Sequence, residues 1–226
     1  MKKVICYSLW GCNKKYTVGA IKNAEEISTV YPGWLARFYC ATSVPSEIIT
    51  QLMQLNAEIV QMPEEGDWNG MFWRFQAIAD DDVGVMLSRD TDSRLTTREA
   101  LAVDEWLHSK KNFHIMRDHP SHSTKILGGM WGARKPILRN ITKLIERYNK
   151  GNYWQVDQDF LRTVIWPRIR FSAFIHDPFF DKKPFPVNRV GTEFVGKVWD
   201  ENENTIIEHE QILLDYIKTH GEKCIL

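Results

Sequence analysis

Residues 84–100 read GVMLSRDTDSRLTTREA. With Val83, the first residues form a short apolar β-type run, VGVML, which breaks into Arg89-Asp90-Thr91-Asp92-Ser93-Arg94. Two acids separated by a hydroxyl residue, and flanked by arginines, therefore stand where a buried strand is expected to stop. Thr96-Thr97-Arg98-Glu99 follows with capping-box spacing, Thr96 as N-cap and Glu99 at the third helical position. This predicts a helix to about Ser109. Strand, charged turn and helix together form the repeating unit of an α/β fold.

The same alternation extends in both directions. Val4 to Leu9 reads as a first strand. Val18, Ile21, Ile27 and Val30 carry helical spacing that Tyr31-Pro32-Gly33 stops. Trp34 to Cys40 predicts a second strand, Pro45-Ser46-Glu47 a helix start, and AEIVQM (57–62) a third strand. A polar loop, PEEGDWNG, leads into a short aromatic helix near Met71 to Ala79. Beyond the opening stretch, NFHIM (112–116) and FSAFI (171–175) predict further strands. Helices are expected from Pro136 to Gly151, with Ile137, Ile141, Leu144, Ile145 and Tyr148 on one face, and from Gln158 to Ile165. The tail from Asp200 reads as charged. The pattern gives one α/β domain over 1–226, a mixed, mostly parallel sheet flanked by helices.

With 43% apolar residues among 226, the chain can bury a full core. Its 29 basic residues equal its 29 acidic ones, so no net charge draws it to nucleic acid or an anionic membrane. No stretch reaches transmembrane length, and the apolar run after Met1-Lys2-Lys3 is too short for a secretion signal. Cys6, Cys12, Cys40 and Cys224 have no C-x-x-C spacing and read as free thiols, which places the expectation in a reducing, cytoplasmic setting. The terminal KCIL is not a prenylation box. Asn140-Ile141-Thr142, a sequon, lies in a helical pattern.

In open α/β sheets ligands gather at the carboxyl ends of strands. Asp90 and Asp92 lie at such an end. If the chain stays extended, both carboxylates point one way and can meet one hard cation, Mg²⁺ or Mn²⁺. Arg89 could then bind phosphate; the plain alternative is a polar turn with surface ion pairs. A second acidic element, Asp157-Gln158-Asp159, begins a predicted helix, where Asp157 could equally be an N-cap. Asp118, His119 and His122 lie close in sequence, but their spacing supplies no helical i, i+4 pair and no fourth ligand for zinc.

D-x-D after an apolar strand about ninety residues into such a chain resembles the metal-binding motif of GT-A glycosyltransferases. Asp157-Gln158-Asp159-Phe160-Leu161 is similar to the D-Q-D element of the glycogenin-like and bacterial galactosyltransferase-like members. The resemblance implies a GT-A-type, Rossmann-like domain. It implies a nucleoside diphosphate sugar as donor, UDP by family frequency, and a carbohydrate or other hydroxyl compound as acceptor. It further implies Mn²⁺ or Mg²⁺ held by Asp90 and Asp92, and Asp157 and Gln158 at the reaction centre. Tyr7, Ser8 and Leu9, ending the first strand, are expected at the base and ribose. Arg74 is expected on the donor, or else is a helix-surface arginine. Gly129 and Trp131, within the stretch GGMWG, are expected at the sugar pocket. In FIHDPFFDKKPF, His176 resembles a late metal-ligating histidine and Lys183 or Lys182 a diphosphate lysine, although the family's glycine is missing between them. With no acid soon after Gly132, retention is the expected stereochemistry. The competing classes are a noncatalytic nucleotide- or carbohydrate-binding module and a nucleotidyltransferase.

Overall fold

The computed structural model describes residues 1–148 and 151–221. Cys224 and the KCIL terminus lie outside them, as do the two residues preceding Gly151. Seven strands form one sheet in the order β3-β2-β1-β4-β6-β5-β7. They are β1 (Lys2–Leu9), β2 (Leu35–Cys40), β3 (Glu58–Gln61), β4 (Val83–Ser88), β5 (Phe113–Met116), β6 (Trp131–Arg134) and β7 (Ala173–His176). β1 runs parallel to β2 and β4, β2 to β3, and β5 to β7. Only β6 is reversed, between β4 and β5. The sheet is thus mixed and mostly parallel, as expected.

β1 and β4 are buried along nearly their whole length, which is why both read as apolar runs without alternation. Helices α1 (Lys14–Val30), α2 (Ser46–Gln54) and α3 (Thr97–His108) connect the parallel strands. A 3₁₀ helix (Trp68–Ala79) carries the aromatic segment against β1 and β4. Phe72, Phe75, Phe160 and Trp131 pack there edge to face, with Phe75 and Trp131 ring centres 5.0 Å apart.

Three sequence expectations are corrected. Trp131–Arg134, where the sequence predicts no strand, is strand β6, with Gly132 opposite Leu87; a side chain there would press on Leu87 and Trp106. The helix expected from Pro136 starts only at α4 (Ile141–Glu146), after Leu138 adopts a left-handed φ of 60°. The Gln158 helix is longer, built from α5 (Val156–Phe160), a π-helical turn (Leu161–Ile165) and α6 (Trp166–Ile169). The charged tail contains helix α7 (Ile207–His220), seated through Leu213 against Phe179 and Phe194.

The parallel strands β1 and β4 end at one edge of the sheet. The reversed β6 begins at that edge, with Trp131 opposite Ser88. Topology therefore brings together the D-x-D turn, the end of β1 and the glycines that precede β6.

Candidate active site

A cavity of ≈ 350 Å³ opens at this edge, a size suited to a small organic ligand. Ser8 and Leu9 line it from β1, Met71 and Arg74 from the 3₁₀ helix, and Asp90, Thr91 and Asp92 from the turn after β4. Gly128 and Met130 line it before β6, Asp157 and Gln158 from α5, and Gly196 and Val198 from the C-terminal segment. Acids 67 residues apart in sequence, Asp90 and Asp157, so share one space.

Arg74 organises the floor. Its side chain is almost fully buried, yet it has two carboxylate partners: one guanidinium nitrogen reaches Asp90 and the other Asp157 Oδ2 at 3.1 Å. Its backbone N–H donates to Ser8 Oγ at 3.2 Å, tying the helix to the end of β1. Gly128 and Gly129 are required by close approach. A Cβ on Gly128 would overlap the Asp157 carboxylate, and one on Gly129 the Asp90 carboxylate. Ser88 Oγ donates to the Gly128 carbonyl at 2.7 Å and fixes this glycine turn to β4.

The D-x-D turn is braced from behind by α1. The buried Asn23 amide donates to the carbonyls of Thr91 (3.3 Å) and Ser93 (2.8 Å), and a side chain at Gly19 would strike the Thr91 carbonyl. Lys15 Nζ lies 2.7 Å from Asp92 Oδ2. Neither Asn23 nor Lys15 stands out in the sequence, because each is one polar residue in an ordinary helix. The chain turns at Thr91–Asp92 rather than staying extended, yet both acids face the cavity.

The charges of the site do not balance. Burial pushes the Asp92 carboxyl above the ordinary aspartate range, and the neighbouring Asp90 charge pushes it further; the Lys15 ammonium only partly opposes this. Burial also raises Asp157, against the pull of Arg74. Three lining carboxylates thus face one lining guanidinium. Adjacent acids of this kind favour proton uptake or a cation.

The donor set fits a hard divalent ion in part. Asp90 and Asp92 offer carboxylate oxygens from one turn, and their mutual repulsion is what a cation would relieve. Mg²⁺ and Mn²⁺ sites can rest on one or two carboxylates when waters and substrate phosphate complete the shell. Among the described residues no group of three or more His, Cys, Asp or Glu side chains could hold a metal.

Other expected site residues lie elsewhere. His176 does not line the cavity. Its Nδ1 shares a 2.8 Å hydrogen bond with His114 Nε2 and its Nε2 lies 3.0 Å from Glu105, under α3. Lys183 is exposed and pairs through its backbone with Asp177, in a loop folded around that aspartate; Lys182 also stays outside the cavity. Arg89 is buried away from the site, where Nε donates to Glu99 Oε1 at 2.9 Å. The reason lies in the capping box: Thr96 Oγ1 accepts the Glu99 N–H, but the Glu99 carboxylate accepts from Arg89 and Tyr31 instead. Trp131 is core, stacked on Phe113 at 5.1 Å, and Tyr7 is core, stacked on Phe38 at 4.7 Å. Gly129 serves the site by making room for Asp90 rather than by lining it.

Sequence reading misses the aromatic rim of Trp10, Tyr16, Trp68 and Trp154, and assigns no settled place to His122. His122 Nδ1 accepts the Asp118 N–H at 3.1 Å, leaving the ring proton on Nε2. Burial, with His119 alongside, pushes its pKa down to about 3. It is a neutral hydrogen-bond donor, and its partner Asp118 is saturated by arginines, so the sequence cluster is no zinc site.

No protein-family model matches the chain, and no curated protein matches it in sequence. Solved structures do. A glycosyltransferase involved in glycosylating the major capsid of PBCV-1 is 16% identical, with a TM-score of 0.54 over 79% of this chain and 82% of that one. Glucosyl-3-phosphoglycerate synthase from Mycobacterium tuberculosis, in complex with phosphoglyceric acid, is 10% identical, with a TM-score of 0.50 over 77% and 68%. The same enzyme with Mn²⁺, UDP-glucose and phosphoglyceric acid is 11% identical, with a TM-score of 0.50 over 77% and 69%. The chain has the GT-A-type glycosyltransferase fold.

Proposed function

We propose that the chain is a divalent-metal-dependent glycosyltransferase that moves a sugar from a nucleoside diphosphate sugar, UDP-linked, to a hydroxyl acceptor. The observation that carries this reading is the convergence of Asp90, Asp92 and Asp157 on one cavity at the carboxyl ends of β1 and β4. The structural neighbours with UDP-glucose and Mn²⁺ support it through a shared fold. The free thiols Cys6, Cys12 and Cys40 support a cytoplasmic setting, and among the described residues no helix is long and apolar enough to cross a membrane.

Asp90 and Asp92 would hold the cation, which supplies Lewis-acid stabilisation of the departing diphosphate. Ser8 and Leu9 would meet the nucleoside at the end of β1. Arg74 keeps Asp90 and Asp157 in place and lends positive charge where diphosphate charge grows. In the transfer, the bond from the anomeric carbon to the diphosphate oxygen breaks and a bond to the acceptor oxygen forms. The acceptor proton passes to the departing diphosphate oxygen. That route needs attack from the face of departure, hence retention. It is supported by the donor set: Asp90 and Asp92 are assigned to the cation, and the His122 Nδ1 lone pair is already taken by the Asp118 N–H, leaving no free imidazole base. Gln158 and Asp157 would then orient the sugar and the acceptor hydroxyl.

Calorimetry with UDP and Mn²⁺ tests the reading. Asp90→Asn or Asp92→Asn should abolish the Mn²⁺-dependent part of UDP binding, because an amide is a poor ligand for a hard cation. Unchanged Mn²⁺-dependent affinity in both variants would overturn it. A noncatalytic binding module would bind donor without releasing UDP, and a nucleotidyltransferase would release diphosphate. Proton NMR of the first product reads the anomeric configuration; inversion would instead make Asp157 the base.

A further inference from the structure

Seven of the nine tryptophans are buried or half-buried. The two that are exposed, Trp154 at 65% and Trp68 at 42%, line the same cavity, together with the exposed Tyr16. Large apolar side chains left open around a polar cleft mark a binding surface. Their loops are also built to hold them. Asn152 Nδ2 donates to Asp67 Oδ2 at 2.8 Å, and the other Asp67 oxygen accepts the Asn69 N–H, capping the helix that Trp68 begins. Tyr153 Oη donates to Asp159 Oδ2 at 2.7 Å. Gln155, between Trp154 and the helix bearing Asp157, has a left-handed φ of 72°. Such a backbone is uncommon in a non-glycine residue and collects at functional sites.

From these observations we propose that Trp154 and Trp68 form the acceptor subsite, and that the acceptor is a neutral saccharide. This deepens the glycosyltransferase reading and takes the word acceptor from it. A pyranose presents one face of C–H groups that lies on an aromatic ring, while its rim of hydroxyls needs polar partners. The cavity supplies both: the exposed tryptophans, and Gln155, Gln158 and His122 among the lining residues. Charge selects neutrality. Among the described residues the only arginine or lysine lining the cavity is Arg74, and it is already shared between Asp90 and Asp157. Mn²⁺ and the diphosphate largely cancel each other's charge, so a phosphorylated or carboxylated acceptor would still meet an excess of carboxylates over Arg74 and Lys15.

The test is a glycan array of neutral, sialylated, sulfated and phosphorylated glycans, probed with the full chain in the presence of Mn²⁺ and UDP. Titration of the best binder into Trp154→Ala, Trp68→Ala and Trp154→Phe follows, and UDP·Mn²⁺ calorimetry runs in parallel. Both tryptophans are exposed, so the variants should fold, and circular dichroism checks that they do. The expected result is binding confined to neutral glycans, weakened roughly tenfold by either alanine and largely restored by phenylalanine, with UDP affinity not following the loss. Absence of glycan binding, preference for anionic glycans, or a loss in UDP affinity in place of glycan affinity would each overturn the proposal. The last would make the rim a nucleobase platform. If glycans bind through the tryptophans but UDP·Mn²⁺ does not bind, the saccharide subsite stands and the glycosyltransferase reading fails. If UDP·Mn²⁺ binds and glycans do not, the glycosyltransferase reading stands and the saccharide subsite fails.

Discussion

Asp118 and the cavity aspartates show how differently one fold can treat a carboxylate. Asp118 is fully buried and saturated: Arg98 grips both oxygens at 2.9 and 3.0 Å, Arg189 reaches Oδ1 at 2.7 Å, and the Val195 N–H donates to Oδ2 at 2.9 Å. This cluster clamps the C-terminal segment to α3, and every oxygen has at least one donor. In the cavity, three acids share one arginine and one lysine, and burial raises both Asp92 and Asp157. The first arrangement is complete without a ligand. The second keeps like charges close together, at a cost to the fold that a bound cation would offset.

The comparison can be broken by substitution. Asp118→Ala leaves Arg98 and Arg189 buried with no carboxylate between them and should destabilise the chain by about 3–5 kcal/mol. Urea unfolding measures it, and a loss no larger than that of an exposed residue would remove the structural role of the clamp.

His176→Ala comes next in size. It removes the bonds to His114 and Glu105 and should cost about 1–3 kcal/mol of stability. Mn²⁺-dependent UDP binding should not change, since His176 is outside the cavity. A selective loss of that binding, with the fold intact, would return His176 to the metal site.

The smallest effect sharpens the contrast. A carboxyl whose pKa is raised in the folded state favours folding when protonated, and that contribution is lost as pH rises through the raised pKa. Without cation at neutral pH, Asp92→Asn should therefore be at least as stable as wild type. The gap should close as pH falls and Asp92 takes up its proton. Paired thermal melts across pH would show it; an Asn variant less stable throughout would mean that Asp92 is satisfied like Asp118.

Much of this is legible in the sequence. The parallel strands β1, β2 and β4 are visible as apolar runs with helices between them, and Asp157 does share a cavity with Asp90 and Asp92, while Asp159 pairs with Tyr153 and Arg162 outside it. What escapes has physical causes. β6 is four residues long and contains Gly132, so local pattern cannot separate it from a turn; only its neighbours β4 and β5 make it a strand. Arg89 is adjacent to Asp90 but points the other way, because Glu99 abandons half of its capping box to hold it. His176 ends a real strand, but that strand lies at the far edge of the sheet, beside β5. The Trp68–Trp154 rim joins loops 86 residues apart, a proximity set by the Asn152–Asp67 bond and invisible to any local window.

The most direct measurement is anomalous scattering from crystals grown with Mn²⁺ and UDP. The expected result is a manganese peak within bonding distance of Asp90 and Asp92 carboxylate oxygens, with diphosphate oxygens completing its shell and both carboxylates turned from Arg74 and Lys15 toward it. UDP bound in the cavity with no manganese there, or a peak beside His176 and Glu105 instead, would contradict it.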